Sequence, residues 1–214
     1  MFTCGIDEAG RGPVIGPLVI AGVLANEEQE QKLVDLGVKD SKLLTPIQRE
    51  RMFDKIKDIV EKYEIIIVDP KEIDDAVNRK DNLNLNWLEA IKSAEIINKL
   101  KPDKAIVDCP STAVEKYAAY LQQKLKVKTK LIAEHKADVT YPIVSAASIL
   151  AKVTRDDKIQ ELKKKYKVEF GSGYMSDSMT QAFLSRYWDK YDFFRKSWES
   201  YKTAAKASSQ RKLL

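Results

Sequence analysis

The sequence predicts an α/β fold: a mixed five-stranded sheet flanked by helices, with a small helical C-terminal extension. Three observations predict it. Five short runs rich in apolar and β-branched residues are spread over residues 2–133. The first two are joined through the glycine-bearing Gly10–Gly16 region with little helix between them, which suggests an antiparallel start. The last two each follow a helical pattern, which suggests parallel strands added by crossovers, with helices on both faces.

Taken in order, Phe2 to Asp7 reads as a first strand and Pro17 to Ala25 as a second. Thr45-Pro46 opens a helix, by cap and first-turn proline, that runs to about Lys62. Tyr63 to Val68 is a third strand, ended by Asp69-Pro70. Asn84 to Leu100 is an amphipathic helix, and Lys104 to Asp108 a fourth strand. Ser111 can cap the helix after it. Lys130 to Ala133 is a fifth strand, Val144 to Tyr166 a long helix, apolar and then basic, and Asp177 to Lys190 another helix. We expect residues 1–170 to form the sheet-bearing domain and 171–214 a helical extension with a basic tail.

The 214 residues are 44% hydrophobic, enough to bury a core, and 32% charged, an excess consistent with heat adaptation. Net charge is +5. The last twenty residues carry Arg195, Lys196, Lys202, Lys206, Arg211 and Lys212 against Glu199 alone, which is the whole excess. A basic tail on a balanced body suggests a polyanion partner, though a solvated terminus explains it equally well. Cys4 and Cys109 are too few for a disulfide framework or a zinc cage. The apolar stretch from Pro13 to Ala25 follows acids rather than a basic region and is too short to span a bilayer, so we expect a cytoplasmic protein with no membrane segment.

Two strands end in acid: the first at Asp7-Glu8, the fourth at Asp108. Asp138 follows the fifth strand. In sheets of this type, sites gather at the C-terminal ends of the parallel strands. For any one of these acids, capping or solubility is the commoner explanation. Together, four carboxylates at one sheet edge would repel unless cations offset them. An oxygen-only set suits Mg²⁺ or Mn²⁺ rather than zinc. Two such ions can drive an in-line phosphoryl displacement. Glu8 should point away from Asp7 if the strand stays regular, unless Ala9-Gly10 turns the chain at once. If Asp7 and Asp108 are level, Cys4 and Cys109 are offset by four residues, roughly 13 Å, too far for a disulfide.

Gly10-Arg11-Gly12 follows the acids, and such a turn can bring backbone N–H groups close to an anion or a sugar hydroxyl. No Walker pattern occurs. Ser41 and Lys42 offer a hydroxyl and a cation side by side, though an ordinary helix-entry loop is the plainer reading. Gly171-Ser172-Gly173-Tyr174 presents an aromatic that can stack on a base or sugar, or can simply pack against the core. Lys152, Arg155, Lys158 and Lys163–Lys165 line the long helix, where a charge run is usually a solvated face. His135, the only histidine, can assist proton movement or be structural.

These segments resemble one family. D-E-A-G-R-G-P at 7–13, D-S-K at 40–42, V-D at 107–108, E-H-K-A-D at 134–138, Y-P-I-V-S-A-A-S-I-L-A-K-V-T-R-D at 141–156, G-S-G-Y at 171–174 and R-K-S-W at 195–198 resemble ribonuclease HII, the prokaryotic type 2 ribonuclease H. The resemblance spans nearly the whole chain. It implies a ribonuclease H-like fold, with 1–170 as the catalytic domain. It implies an endoribonuclease that cuts RNA–DNA hybrids and nicks duplex DNA at embedded ribonucleotides, leaving 5′-phosphate and 3′-hydroxyl ends. By position it makes Asp7, Glu8, Asp108 and Asp138 the catalytic, metal-holding acids for two Mg²⁺ or Mn²⁺ ions. It makes Gly10, Arg11 and Gly12 the ribose 2′-hydroxyl sensor, Tyr174 the residue stacking at the RNA-to-DNA junction, and Ser41 and Lys42 substrate contacts. It implies a monomer working in replication and ribonucleotide repair, with partners not specified. One departure stands out: Met175-Ser176-Asp177-Ser178 replaces the family's Pro-Ser-Asp-Pro, and loss of both prolines should loosen the loop presenting Tyr174. Two rival readings are a non-catalytic hybrid-binding protein and another ribonuclease H-like phosphotransferase, such as a resolvase. The four acids disfavour the first, the GRG and GSGY segments the second.

Overall fold

The computed structural model describes residues 1–38 and 44–211. Ser41 and Lys42 lie outside the described residues. The five strands are β1 Thr3–Ala9, β2 Leu18–Ala25, β3 Lys62–Val68, β4 Lys104–Asp108 and β5 Lys130–Glu134, in the order β3-β2-β1-β4-β5. β1 pairs antiparallel with β2 and parallel with β4, and β4 pairs parallel with β5. This is the predicted mixed sheet. β2 is buried along its whole length, which is why it reads as an unbroken apolar run.

The helices are α1 Glu27–Leu36, α2 Pro46–Ile59, α3 Pro70–Val77, α4 Leu85–Leu100, α5 Val114–Lys124, α6 Ala137–Thr140, α7 Pro142–Tyr166, α8 Ser178–Tyr187 and α9 Glu199–Arg211. Thr45 caps α2 in a reciprocal box with Gln48. Three helices, α1, α3 and α6, lie outside the expected elements, and α9 falls in the segment expected to be helical. α1 has the same signature in Asn26 and Gln29, and ends on Gly37 in the left-handed conformation. Asp69-Pro70 both ends β3 and starts α3, with Asp69 accepting from the Glu72 N–H. Ser111 does not cap α5: it accepts from the Ala113 N–H in the turn before it, and α5 begins without a side-chain cap.

The chain divides into two compact units. The first comprises Met1–Ala9, Val19–Ile67 and Leu85–Thr154; the second comprises Gly10–Leu18, Val68–Asn84 and Arg155–Leu214. The core of the first is aliphatic. Val19, Ala21, Val23 and Ile106 of the sheet pack with Ile143, Val144, Ala147 and Leu150 of α7, all essentially inaccessible. The core of the second is aromatic: Phe170, Phe183, Phe193, Phe194 and Tyr201 around Val14, Ile15 and Ile159. Phe183 and Phe193 stack nearly parallel, and Tyr166 meets Phe193 edge-on with ring centroids 5.1 Å apart. Among the described residues no helix is long and apolar enough to cross a membrane.

Candidate active site

The sheet register settles the alignment of the strand ends. Ile6 is level with Val107, so Asp7 and Asp108, one residue on, come next to each other just past the last β1–β4 pair; Asp108 is in turn level with Glu134. Residues at one level of parallel strands share a face. Asp7 is 5% exposed and Asp138 6%. Burial pushes the Asp7 carboxyl up to about 7. The Asp108 charge adds to the rise, while Ser148, the Glu8 N–H and Lys152 oppose it. The Glu8 N–H donates to Asp7 Oδ1 at 2.7 Å. Ser148 Oγ is buried without a partner in full hydrogen-bond geometry, so its help to Asp7 is that of a poorly aligned neighbour.

Asp108 is held from the other side. Its Oδ1 accepts from the Ala137 N–H at 2.9 Å, the first amide of α6. A helix start is a favourable place for a carboxylate. Asp138 sits one residue further on, and its carbonyl accepts from the Ser145 hydroxyl of α7. The Cys109 N–H donates to the Glu134 carbonyl at 2.9 Å, tying the ends of β4 and β5 together. His135 Nδ1 lies 3.0 Å from the Cys109 carbonyl. A carbonyl only accepts, so Nδ1 carries the proton and Nε2 is the basic nitrogen.

Glu8 behaves differently from Asp7. β1 stays regular through Ala9, with Glu8 opposite Ile20, so Glu8 takes the other face of the sheet. Its charge is felt there by Cys109 and Tyr117, beside the buried Glu89 of α4. The early turn that would have let both carboxylates share a face does not form. The cysteines follow the expected offset: Cys4 is level with Ala105, four residues before Cys109, and both are free and buried.

The donor set fits a hard divalent cation. It is oxygen-only, and the Asp7 carboxyl, buried beside Asp108, gains from any positive charge brought to it. Among the described residues, no three His, Cys, Asp or Glu side chains stand together as a closed cage.

In the second unit, Gly10–Gly12 and Tyr174 come together. Gly10 has φ +83°, and a Cβ there would stand 2.7 Å from the Pro17 carbonyl, so only glycine makes this turn. A Cβ on Gly12 would lie 3.8 Å from the Tyr174 ring. Val14 N–H donates to the Gly173 carbonyl at 2.9 Å, joining the two loops. Tyr174 is 37% exposed. The loop presenting it is not loose. Ser172 and Met179 N–H both donate to the Asp177 carboxylate, Gly173 N–H donates to Thr180 Oγ1 and Gln181 Nε2 to the Met175 carbonyl.

The chain matches the family model described as Ribonuclease HII over residues 4–201. It belongs to the ribonuclease HII family. The ribonuclease HII of Pyrococcus horikoshii is 48% identical over 206 residues, covering 94% of this chain and 91% of that one. The crystal structure of the ribonuclease H2 from Pyrococcus horikoshii OT3 superposes with a TM-score of 0.90 at 45% identity, covering 98% of this chain and all of that one. The ribonuclease HII of Archaeoglobus fulgidus, solved in a complex with PCNA, superposes with a TM-score of 0.84 at 40% identity, covering 94% and 96%. As a member of that family, the chain is a hydrolytic, metal-dependent endoribonuclease on a ribonuclease H-like fold.

Glu134 in the first unit and Arg155 and Arg195 in the second are placed otherwise than charge and spacing suggest. Glu134, level with Asp108, was seen only as part of a motif. Arg155 was taken for part of a solvated face, yet it is 5% exposed. Its Nη2 donates to the Ser172 carbonyl at 2.6 Å and its guanidinium lies 4.9 Å over the Tyr174 ring. Arg195 was counted in the basic tail, yet it is wholly buried. No sequence signal marks these arginines, because the backbone carbonyls they engage lie 17 or more residues away.

Proposed function

We propose that this ribonuclease HII hydrolyses the RNA strand of RNA–DNA hybrids and also nicks duplex DNA at single embedded ribonucleotides, leaving 5′-phosphate and 3′-hydroxyl ends. One observation carries the reading: Asp7 and Asp108 each come one residue after the level pair Ile6 and Val107 of two parallel strands, and the Gly10–Gly12 turn begins three residues after Asp7. Asp7, Asp108 and Asp138 would hold the ions, Mg²⁺ or Mn²⁺; Glu8, on the opposite face of β1, would join them only by turning toward Asp7 when the ions bind. Two such ions about 3.5–4 Å apart supply an activated water and stabilise the leaving oxygen of an in-line displacement. The chain's own residues shape that site. Lys152 favours the charged form of Asp7, and the start of α6 orients Asp108. Gly10, Arg11 and Gly12 would recognise the ribose 2′-hydroxyl, the group that tells RNA from DNA. Tyr174 would stack at the junction, braced by Arg155. Ser41 and Lys42 remain proposed substrate contacts. The PCNA complex of the Archaeoglobus fulgidus relative supports a PCNA-type partner here as well.

A hybrid and an all-DNA duplex of one sequence, each with Mg²⁺ and then with chelator, test this reading. Only the RNA strand should be cut, only with metal, and with 5′-phosphate ends. Cleavage in chelator, or of the all-DNA duplex at a similar rate, would refute it.

The basic C-terminal helix gives a separate expectation. Lys202 and Lys206 of α9 are exposed, whereas Tyr201 is packed in the aromatic core. Removing the tail would therefore disturb packing as well as charge. Lys202→Ala with Lys206→Ala changes charge alone. If both reach phosphates, the slope of log affinity against log salt should flatten by about 0.9 per contact, up to about 2. An unchanged slope would leave α9 out of the nucleic-acid interface.

A further inference from the structure

Arg195 is the largest fully buried side chain among the described residues, and none of the chemistry above uses it. A guanidinium cannot sit in an aromatic core unpaired. Its guanidinium engages three backbone carbonyls of one loop. Nη2 donates to the Gly10 carbonyl at 2.5 Å, Nη1 to the Arg11 carbonyl at 2.9 Å and Nε to the Gly16 carbonyl at 3.0 Å. The Arg195 N–H donates to the Val14 carbonyl at 2.9 Å. Trp198, one turn on, donates its indole N–H to the Gly12 carbonyl at 3.1 Å and lies 5.0 Å from the guanidinium. Two residues thus engage the carbonyls of Gly10, Arg11, Gly12, Val14 and Gly16.

This pattern has a direction. Carbonyls committed in this way cannot accept from a ligand, and the Val14 and Gly16 N–H groups already donate to the Gly173 and Phe193 carbonyls, so recognition of a hydroxyl oxygen or a phosphate by this loop would fall to the Gly10–Gly12 N–H groups. The planar fork of arginine fixes three of those carbonyls in one geometry, which a lysine ammonium cannot do.

We propose that Arg195 is a positioning residue for ribose recognition: its guanidinium clamps the Gly10–Gly16 backbone in the one conformation that reads a 2′-hydroxyl, with Trp198 completing the clamp at Gly12. This rests on the proposed function's assignment of Gly10–Gly12 as the ribose contact. It makes the C-terminal segment part of substrate discrimination, with no contact to the substrate required of Arg195.

Arg195→Lys tests it, with two readouts. The first is amide hydrogen exchange in the ligand-free protein. Exchange over residues 10–16 should rise at least tenfold, with β1 and β4 unchanged. The second is the preference for a duplex with one ribonucleotide, taken as its KM against the Ki of the matching all-DNA competitor. That ratio should lose at least tenfold. A folded variant with wild-type exchange and a wild-type ratio would overturn the role. Trp198→Phe keeps the ring and removes only the indole N–H, so it carries the test should Arg195→Lys not fold. It should speed exchange at Gly12 and Val14 and lower the ratio about threefold, and wild-type values for both would overturn the clamp. A wild-type protein with no ribonucleotide preference would sink the ribose reading and this role together. Variants that match a discriminating wild type would sink only the role.

Discussion

Asp7→Asn should abolish cleavage while leaving substrate binding within a few-fold of wild type. The substitution keeps the shape, and an amide oxygen can still accept the Glu8 N–H that Asp7 Oδ1 accepts now. It removes the charge that would hold a cation beside Asp108. A metal contribution of several kcal/mol corresponds to at least about 10³-fold in rate at 1.36 kcal/mol per factor of ten. Cleavage within tenfold of wild type would remove Asp7 from the metal site.

The same variant should be more stable than wild type when no metal is present. Burial and the Asp108 charge raise the folded-state pKa of Asp7 from 3.8 to about 7. An acid with a raised folded pKa binds more protons folded than unfolded between those values, so its stability falls as pH rises through that window. At pH 8 the full penalty is present, at most about 4 kcal/mol for three pKa units, and near pH 4 it is gone. Melting temperatures in chelator should show Asp7→Asn ahead at pH 8 and level with wild type near pH 4. A variant no more stable at pH 8 would mean that Asp7 is charged without strain in the empty site.

Gly5→Ala should cost more stability than any other single-methyl addition to β1. A Cβ at Gly5 would stand 2.5 Å from the carbonyl carbon and oxygen of Ile143 and 2.6 Å from the Val144 nitrogen. These are backbone atoms at the start of α7, so no rotamer relieves the contact and the helix must move. A cost of about 3 kcal/mol or more is expected, a fall of roughly 6–12 °C in melting temperature for a chain of this size. α7 also carries Ser148 and Lys152 to Asp7. Activity below the melting temperature should therefore fall as well. A loss under 1 kcal/mol would show that α7 can shift freely, and that its closeness to β1 is not what sets the site.

The sheet was legible because burial on both faces writes itself as apolar runs, as in Leu18–Ala25. The alignment of Asp7 with Asp108 was legible from the same runs, since strand ends mark levels. Residues governed by distant partners were not. Arg155 sits in a basic helix and Arg195 in a basic tail, and charge gives no sign of burial. What buries Arg195 is a set of carbonyls about 180 positions earlier. α1 was hidden by its composition, EEQEQK, although its cap pair Asn26 and Gln29 was in view. Glu8 was placed by how far β1 continues: regular pairing to Ala9 sends its side chain to the opposite face from Asp7.

The account stands most directly on one assay: a DNA duplex carrying a single ribonucleotide, incubated with the intact protein and Mg²⁺ or Mn²⁺, then with chelator. It predicts a single nick at the ribonucleotide, with 5′-phosphate and 3′-hydroxyl ends, that requires the metal and is lost in Asp7→Asn. A folded protein that leaves this duplex intact in either metal would contradict it.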